Sequence, residues 1–144
     1  MKKLSYLFIA LLTSMSIMTS CSKDDKDEAT DNSVAAMEEY ANLKPTIAEN
    51  GDNIVLTWAG KYYQATETIS FVDGLATTAE YSGSIDCGGA VYAQIAYQNL
   101  TLIPDGTGIT YGVQGSKVTL TRTENTYSGS TKEAVLEILQ LLYE

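Results

Sequence analysis

Histidine is absent from the chain. Its absence removes the commonest general base, the commonest metal ligand, and both the Ser-His and Cys-His nucleophile arrangements. Cysteine is nearly absent too, with only Cys21 and Cys87 present. Asp86 beside Cys87 disfavours a thiolate, so Cys87 reads as a small buried apolar residue rather than a nucleophile. Positive charge is scarce: 9 Lys and Arg against 18 Asp and Glu give a formal net charge of −9. That balance argues against nucleic acid and against adhesion to anionic head groups, since both need a basic patch. No Gly-x-Ser-x-Gly elbow occurs around the serines of Tyr81-Ser82-Gly83-Ser84 or Tyr127-Ser128-Gly129-Ser130. No Asp-x-Asp-x-Asp-Gly loop with a closing Glu is present to hold calcium. Gly106-x-Gly108 precedes a strand pattern, and Gly112 comes one position late for a dinucleotide fingerprint. The expectation is a protein with no catalytic triad, no metal centre and no cofactor.

A long apolar run is also missing. Leu4 to Met18 carries no charge, but it is diluted by Ser and Thr and is shorter than the about 20 apolar residues of a spanning helix. Met1-Lys2-Lys3 in front of it and the small residues Thr19-Ser20 behind it complete the secretory pattern of a basic start, a short apolar middle and a small-residue end.

Met18-Thr19-Ser20-Cys21 resembles the lipobox of bacterial lipoprotein signal peptides, with Met18 where that family usually carries Leu. The resemblance implies cleavage before Cys21, a diacylglycerol on its sulfur and an acyl chain such as palmitate on its new amino group. Ser22-Lys23-Asp24-Asp25 is similar to the export signal of Bacteroidota surface lipoproteins, which implies an outer-membrane protein facing the cell exterior. One acyl chain holds a protein on a membrane only marginally, whereas two or more hold it stably. By that resemblance the membrane is reached through the lipid on Cys21, and Cys87 has no intrachain partner left for a disulfide. Loss of residues 1–20 also removes Lys2 and Lys3 and no acid, which moves the formal charge from −9 to −11.

The expected organisation is a signal peptide over 1–20, the lipidated cysteine with an acid-rich tether over 21–33, and one globular domain over 34–144. Ser22 to Asn32 has almost nothing to bury and reads as a disordered spacer. Val34, Met37 and Ala41 recur at helical spacing with Asn32 or Ser33 placed to cap them, and Pro45 should stop that helix near Leu43.

From Asn53 onward the pattern predicts strands: Asn53 to Trp58, Lys61 to Phe71 and Leu75 to Ile85, the last two joined by the hairpin signal Asp73-Gly74. Val91, Ala93, Ile95 and Tyr97 alternate with Tyr92, Gln94, Ala96 and Gln98, which predicts a half-buried strand. Leu100–Ile103, Ile109–Val113 and Lys117–Thr123 follow as further strands. Ser130-Thr131-Lys132-Glu133 reads as a capping box for an amphipathic helix over 131–143 with Val135, Ile138, Leu139 and Leu142 as its stripe. The expected fold is mainly β: a single antiparallel meander, closed as a small barrel or folded as a sandwich, with a short N-terminal and a C-terminal helix. Trp58-Ala59-Gly60-Lys61-Tyr62 and the meander after it are loosely similar to lipocalins, which implies barrel shape and nothing about function.

Candidate binding residues come from the strands. Tyr62, Gln64, Thr66 and Thr68 share one parity, and Tyr92, Gln94 and Gln98 another. Tyrosine offers apolar area with a polar tip, so such faces suit a glycan or a surface protein partner, although tyrosine and threonine are also simply good strand residues. Trp58 and Tyr97, with Ile69, Phe71 and Ile95, would line the cavity of a barrel that carries a small apolar or glycan ligand. Glu67 shares parity with Tyr63, Ala65, Ile69 and Phe71; on an inward face its pKa would rise, and it would be the centre of any carboxylate-based hydrolase. The first expectation is a non-enzymatic, surface-tethered binding module; the ligand carrier and the hydrolase stand behind it.

Overall fold

The structure, a computed structural model, describes residues 31–102 and 107–143. The segments read as signal peptide and export signal (Ser22 to Asp25), Cys21, and most of the expected tether lie outside the described residues. Within them the chain forms α1 (Ser33–Asn42), β1 (Thr46–Asn50), β2 (Asn53–Ala59), β3 (Tyr63–Val72), β4 (Leu75–Asp86), α2 (Ala90–Leu102), β5 (Thr110–Gln114), β6 (Lys117–Glu124) and α3 (Lys132–Tyr143).

All six strands join one antiparallel sheet in the order β1-β2-β3-β4-β6-β5. The fold is mainly β, as its pattern predicts. The sheet is open, ending at β1 and β5, so it closes neither as a barrel nor as a sandwich. Three helices bury its inner face instead. Ile54, Leu56, Trp58, Tyr63, Ile69, Tyr81, Ile85, Val118 and Leu120 point into that layer and meet Ala36 and Met37 of α1, Ala93, Ala96 and Leu100 of α2, and Val135 and Leu139 of α3.

The turn chemistry agrees with the residues. Asp73 and Gly74 both take positive φ, 55° and 81°, as a two-residue hairpin between right-twisting strands requires. α1 gives way to extended backbone at Leu43 and ends ahead of Pro45, as predicted.

Four local expectations are corrected. The segment read as a strand from Val91 to Tyr97 is helix α2, which also absorbs Leu100 to Leu102 of the next predicted strand. Ala93, Ala96 and Leu100 are buried at helical spacing, and the small alanines let the helix approach β5 and β6 closely. The same apolar residues fit both periods, and without a charge on either face the alternation was not decisive. Thr46–Asn50, which carries no strand signal, is an edge strand of which only Ile47 packs against the core, Glu49 on the same face being exposed. The cap of α3 is Thr131 rather than Ser130: its Oγ1 accepts from the Ala134 amide at 3.3 Å. At the start of α1 the Asp31 carboxylate accepts from the Ser33 amide at 3.0 Å, while Asn32 gives no side-chain cap.

Candidate functional site

Two features of the domain hold chemistry, one on each face of the sheet. On the inner face Glu67 of β3 is 3 % exposed. Its partner is Arg122 of β6, whose Nη2 donates to Glu67 Oε2 at 2.8 Å. The same guanidinium donates from Nη1 to the Thr107 carbonyl at 3.2 Å and pairs with Glu124 at 3.4 Å. It also lies over the Tyr81 ring, 5.3 Å from the centroid. Among the described residues the buried Arg122 Nε has no hydrogen-bond partner.

Burial pushes the Glu67 pKa up, and the hydrogen bond and charge of Arg122 only partly offset this. For Arg122, burial alone would lower the pKa, but the hydrogen bond and charge of Glu67 raise it. Arg122 therefore stays cationic, and the cost of this buried pair falls on the carboxylate.

Tyrosines close around the pair. The Tyr63 and Tyr81 hydroxyls share a 2.6 Å hydrogen bond, and burial raises both pKa values. Tyr127 is pushed up to about 12 by burial and then by the charge of Glu67. Trp58 meets Tyr81 and Tyr143 edge-on, with ring centroids 5.7 and 6.0 Å apart. Glu67 and Glu124 do converge, but on a guanidinium that stands between them and neutralises the centre. That arrangement suits an ion pair that fixes register better than an acid and a base flanking a substrate.

The outer face is built differently. Directly opposed residues of an antiparallel pair share a face. The register therefore lines up Thr46, Thr57, Thr66, Ser82, Thr121 and Thr110 in one row that crosses all six strands. Strands lie about 4.8 Å apart, so the row is about 24 Å long. Beside it run Ala59, Gln64, Ser84, Thr119 and Gly112 on one flank and Ala48, Val55, Thr68, Glu80 and Thr123 on the other. Thr57 is half-buried and the other five residues of the row are exposed.

The predicted site residues are thereby separated. Gln64 is exposed on the outer face. Trp58 and Glu67 are buried on the inner one. Tyr62 sits half-buried in the β2–β3 turn with the Lys61 ammonium 5.2 Å from its ring centroid. Tyr92, Gln94 and Tyr97 belong to α2, where Gln94 is exposed and both tyrosines pack partly against the core. They form no strand face with Gln64, and Tyr97 and Ile95 line no barrel with Trp58, Ile69 and Phe71. Cys87 is fully buried, and burial, followed by the charges of Asp31 and Asp86, pushes its thiol up to about 12.

Sequence reasoning passed over Arg122, Glu39 and the hydroxyl row. Arg122 shares strand parity with Val118 and Leu120, so its inward direction was available from alternation. The row needed the register of six strands. Among the described residues no group of three or more His, Cys, Asp or Glu is placed to hold a metal ion, and no helix is long and apolar enough to cross a membrane. Family models, curated proteins and solved structures gave no match to this chain.

Proposed function

We propose that this chain is a lipid-anchored, non-enzymatic binding module on the outer surface of the outer membrane, and that its contact surface is the outer face of the sheet. The observation that carries the reading is the hydroxyl row from Thr46 to Thr110, on the face opposite the helices. A solvated sheet face ordinarily alternates with charged residues, yet here Glu80 is the only charge in the three central rows. Short hydroxyl, amide and methyl side chains make that face flat and able both to donate and to accept hydrogen bonds. These are properties suited to an extended glycan. The aromatic side chains serve the core instead, so binding would rest on hydrogen bonds rather than on ring stacking.

The test uses the full chain displayed on cells and a panel of soluble polysaccharides. Binding to at least one polysaccharide, lost by more than tenfold in Thr66→Glu/Thr121→Glu with surface level and melting unchanged, is the expected result. Absence of binding across the panel, or binding indifferent to that double substitution, would overturn the proposal.

A further inference from the structure

The two edges of the sheet are not alike. β1 follows Lys44-Pro45 and carries Glu49, and charges and a proline are devices that keep an edge from pairing with another chain. β5 has none: Thr110-Tyr111-Gly112-Val113-Gln114 holds no charge and no proline, and its register with β6 is unbroken. The described chain segments on either side of it are also uncharged, and the nearest charges, Lys117 opposite Gln114 and Asp86 beside Ser116, lie at one end of the strand. Helix α2 packs against β5 and β6, and neither residues 87–102 nor residues 107–116 include an acid or a base.

This contrasts with a chain of formal charge −9, whose remaining surfaces carry Asp52, Asp73, Glu80, Glu133 and Glu137. Val91 and Val113 stand 64 % and 38 % exposed on the uncharged flank. The Cys87 amide donates to the Ser116 carbonyl at 2.9 Å, which brings the start of α2 and the β5–β6 turn to the same end of the sheet. Copies of an acidic protein repel one another wherever their charges face, so an uncharged edge is where a second copy approaches at least cost. Depletion of charge also marks the cores of protein interfaces.

We propose that β5 pairs antiparallel with β5 of a second copy about a two-fold axis through Gly112. Gly112 then faces its own counterpart, Thr110 faces Gln114 of the second copy, and Tyr111 faces Val113 of the second copy. The interface is isologous, and it closes at two copies because each has one such edge. Thr110 is the last member of the hydroxyl row, so the dimer places the two rows end to end in a single sheet, offset by four residues along the strand at the joint. The pairing rests on the fold alone and not on the lipid anchor or on any ligand.

The test is oxidative cross-linking of the full chain in cells. Cys87 is buried and its thiol strongly protonated, and a Cys21→Ser background removes the other cysteine, so introduced cysteines report cleanly. Thr110→Cys/Gln114→Cys is expected to give a reducible dimer. Thr110→Cys alone, Gln114→Cys alone, and the control pair Thr46→Cys/Asn50→Cys at the β1 edge are expected to remain monomeric. No dimer from the first pair overturns the proposal, and so does a dimer forming equally in the single variants or the control.

Discussion

At the scale of single residues, Glu67 and Arg122 decide how the inner face behaves. Truncating one member of a buried ion pair leaves the other without its partner, whereas replacing both with apolar groups is often neutral or better. Arg122→Met should cost about 3 kcal/mol, at the low end of the range for buried pairs, since its side chain keeps 18 % exposure. Glu67→Leu/Arg122→Met should lie within about 1 kcal/mol of the parent in urea unfolding. A double variant as damaged as the single would mean that the pair adds net stability.

The sign of the pH dependence follows from the raised pKa. Folding favours the protonated form of Glu67, so its contribution is most favourable below the ordinary carboxylate value of 4.5 and declines as pH rises through the raised folded value. Plotted against pH, the stability of the parent relative to Glu67→Gln should therefore fall on crossing that window upward.

At the scale of elements, one carboxylate fastens α1 to the sheet. Glu39 accepts from the amides of Lys61, Tyr62 and Tyr63 at 3.1, 2.7 and 2.9 Å, which satisfies the β2–β3 turn from outside it. Burial by itself would raise its pKa, but these amides and the Lys61 charge outweigh that and lower it. The stability from this contact is present above the ordinary carboxylate pKa and is lost as pH falls through the lowered value, the opposite sense to Glu67. Gly60 makes the contact possible, because a Cβ there would run into the Glu39 carboxylate and the Leu43 side chain.

Glu39→Ala strands amides that the fold has partly withdrawn from water and should cost about 2 kcal/mol. It should also speed hydrogen exchange at Tyr62 and Tyr63 more than in β6. Gly60→Ala should produce the same local signature. Exchange that rises evenly across the sheet would show that the turn unfolds only with the whole domain.

At the scale of the whole molecule, the layering separates a covered face from an open one and sets where residues 31 and 32 join the sheet. The Asn32 amide donates to the Cys87 carbonyl at 2.9 Å, so the chain enters at the end of the sheet where β4 finishes. The hairpin tips at Gly51 and Gly74 lie at the other end.

Cys21→Ala is expected to release the protein from the membrane fraction; a variant that stays anchored and uncleaved removes the lipobox reading. Asp24→Ala/Asp25→Ala is expected to keep the anchor and to lower labelling of intact cells by a membrane-impermeant reagent several-fold. Unchanged labelling would remove the export-signal reading and leave the anchor intact.

Sequence alone determined the features that depend on local chemistry. Pro45 and its neighbours end α1, Asp73-Gly74 makes its hairpin, the alternation of Ile54, Leu56 and Trp58 shows which side of β2 is buried, and Val135 and Leu139 mark the docking side of α3, although Ile138 and Leu142 of the same predicted stripe stay exposed. Each is set by backbone sterics or by a period read within a dozen residues. Glu67 was legible as the acid on an inward parity, but not the Arg122 that meets it from 55 positions away.

Only the tertiary structure decided between strand and helix at Ala90–Leu102, where the apolar residues satisfy both periods and contact with β5 and β6 selects one. It alone decided that the sheet stays open, because closure depends on how elements distant in sequence cover the inner face. The hydroxyl row belongs to the same class: each strand carries its Thr or Ser without sign of the others, and pairing register brings them into line.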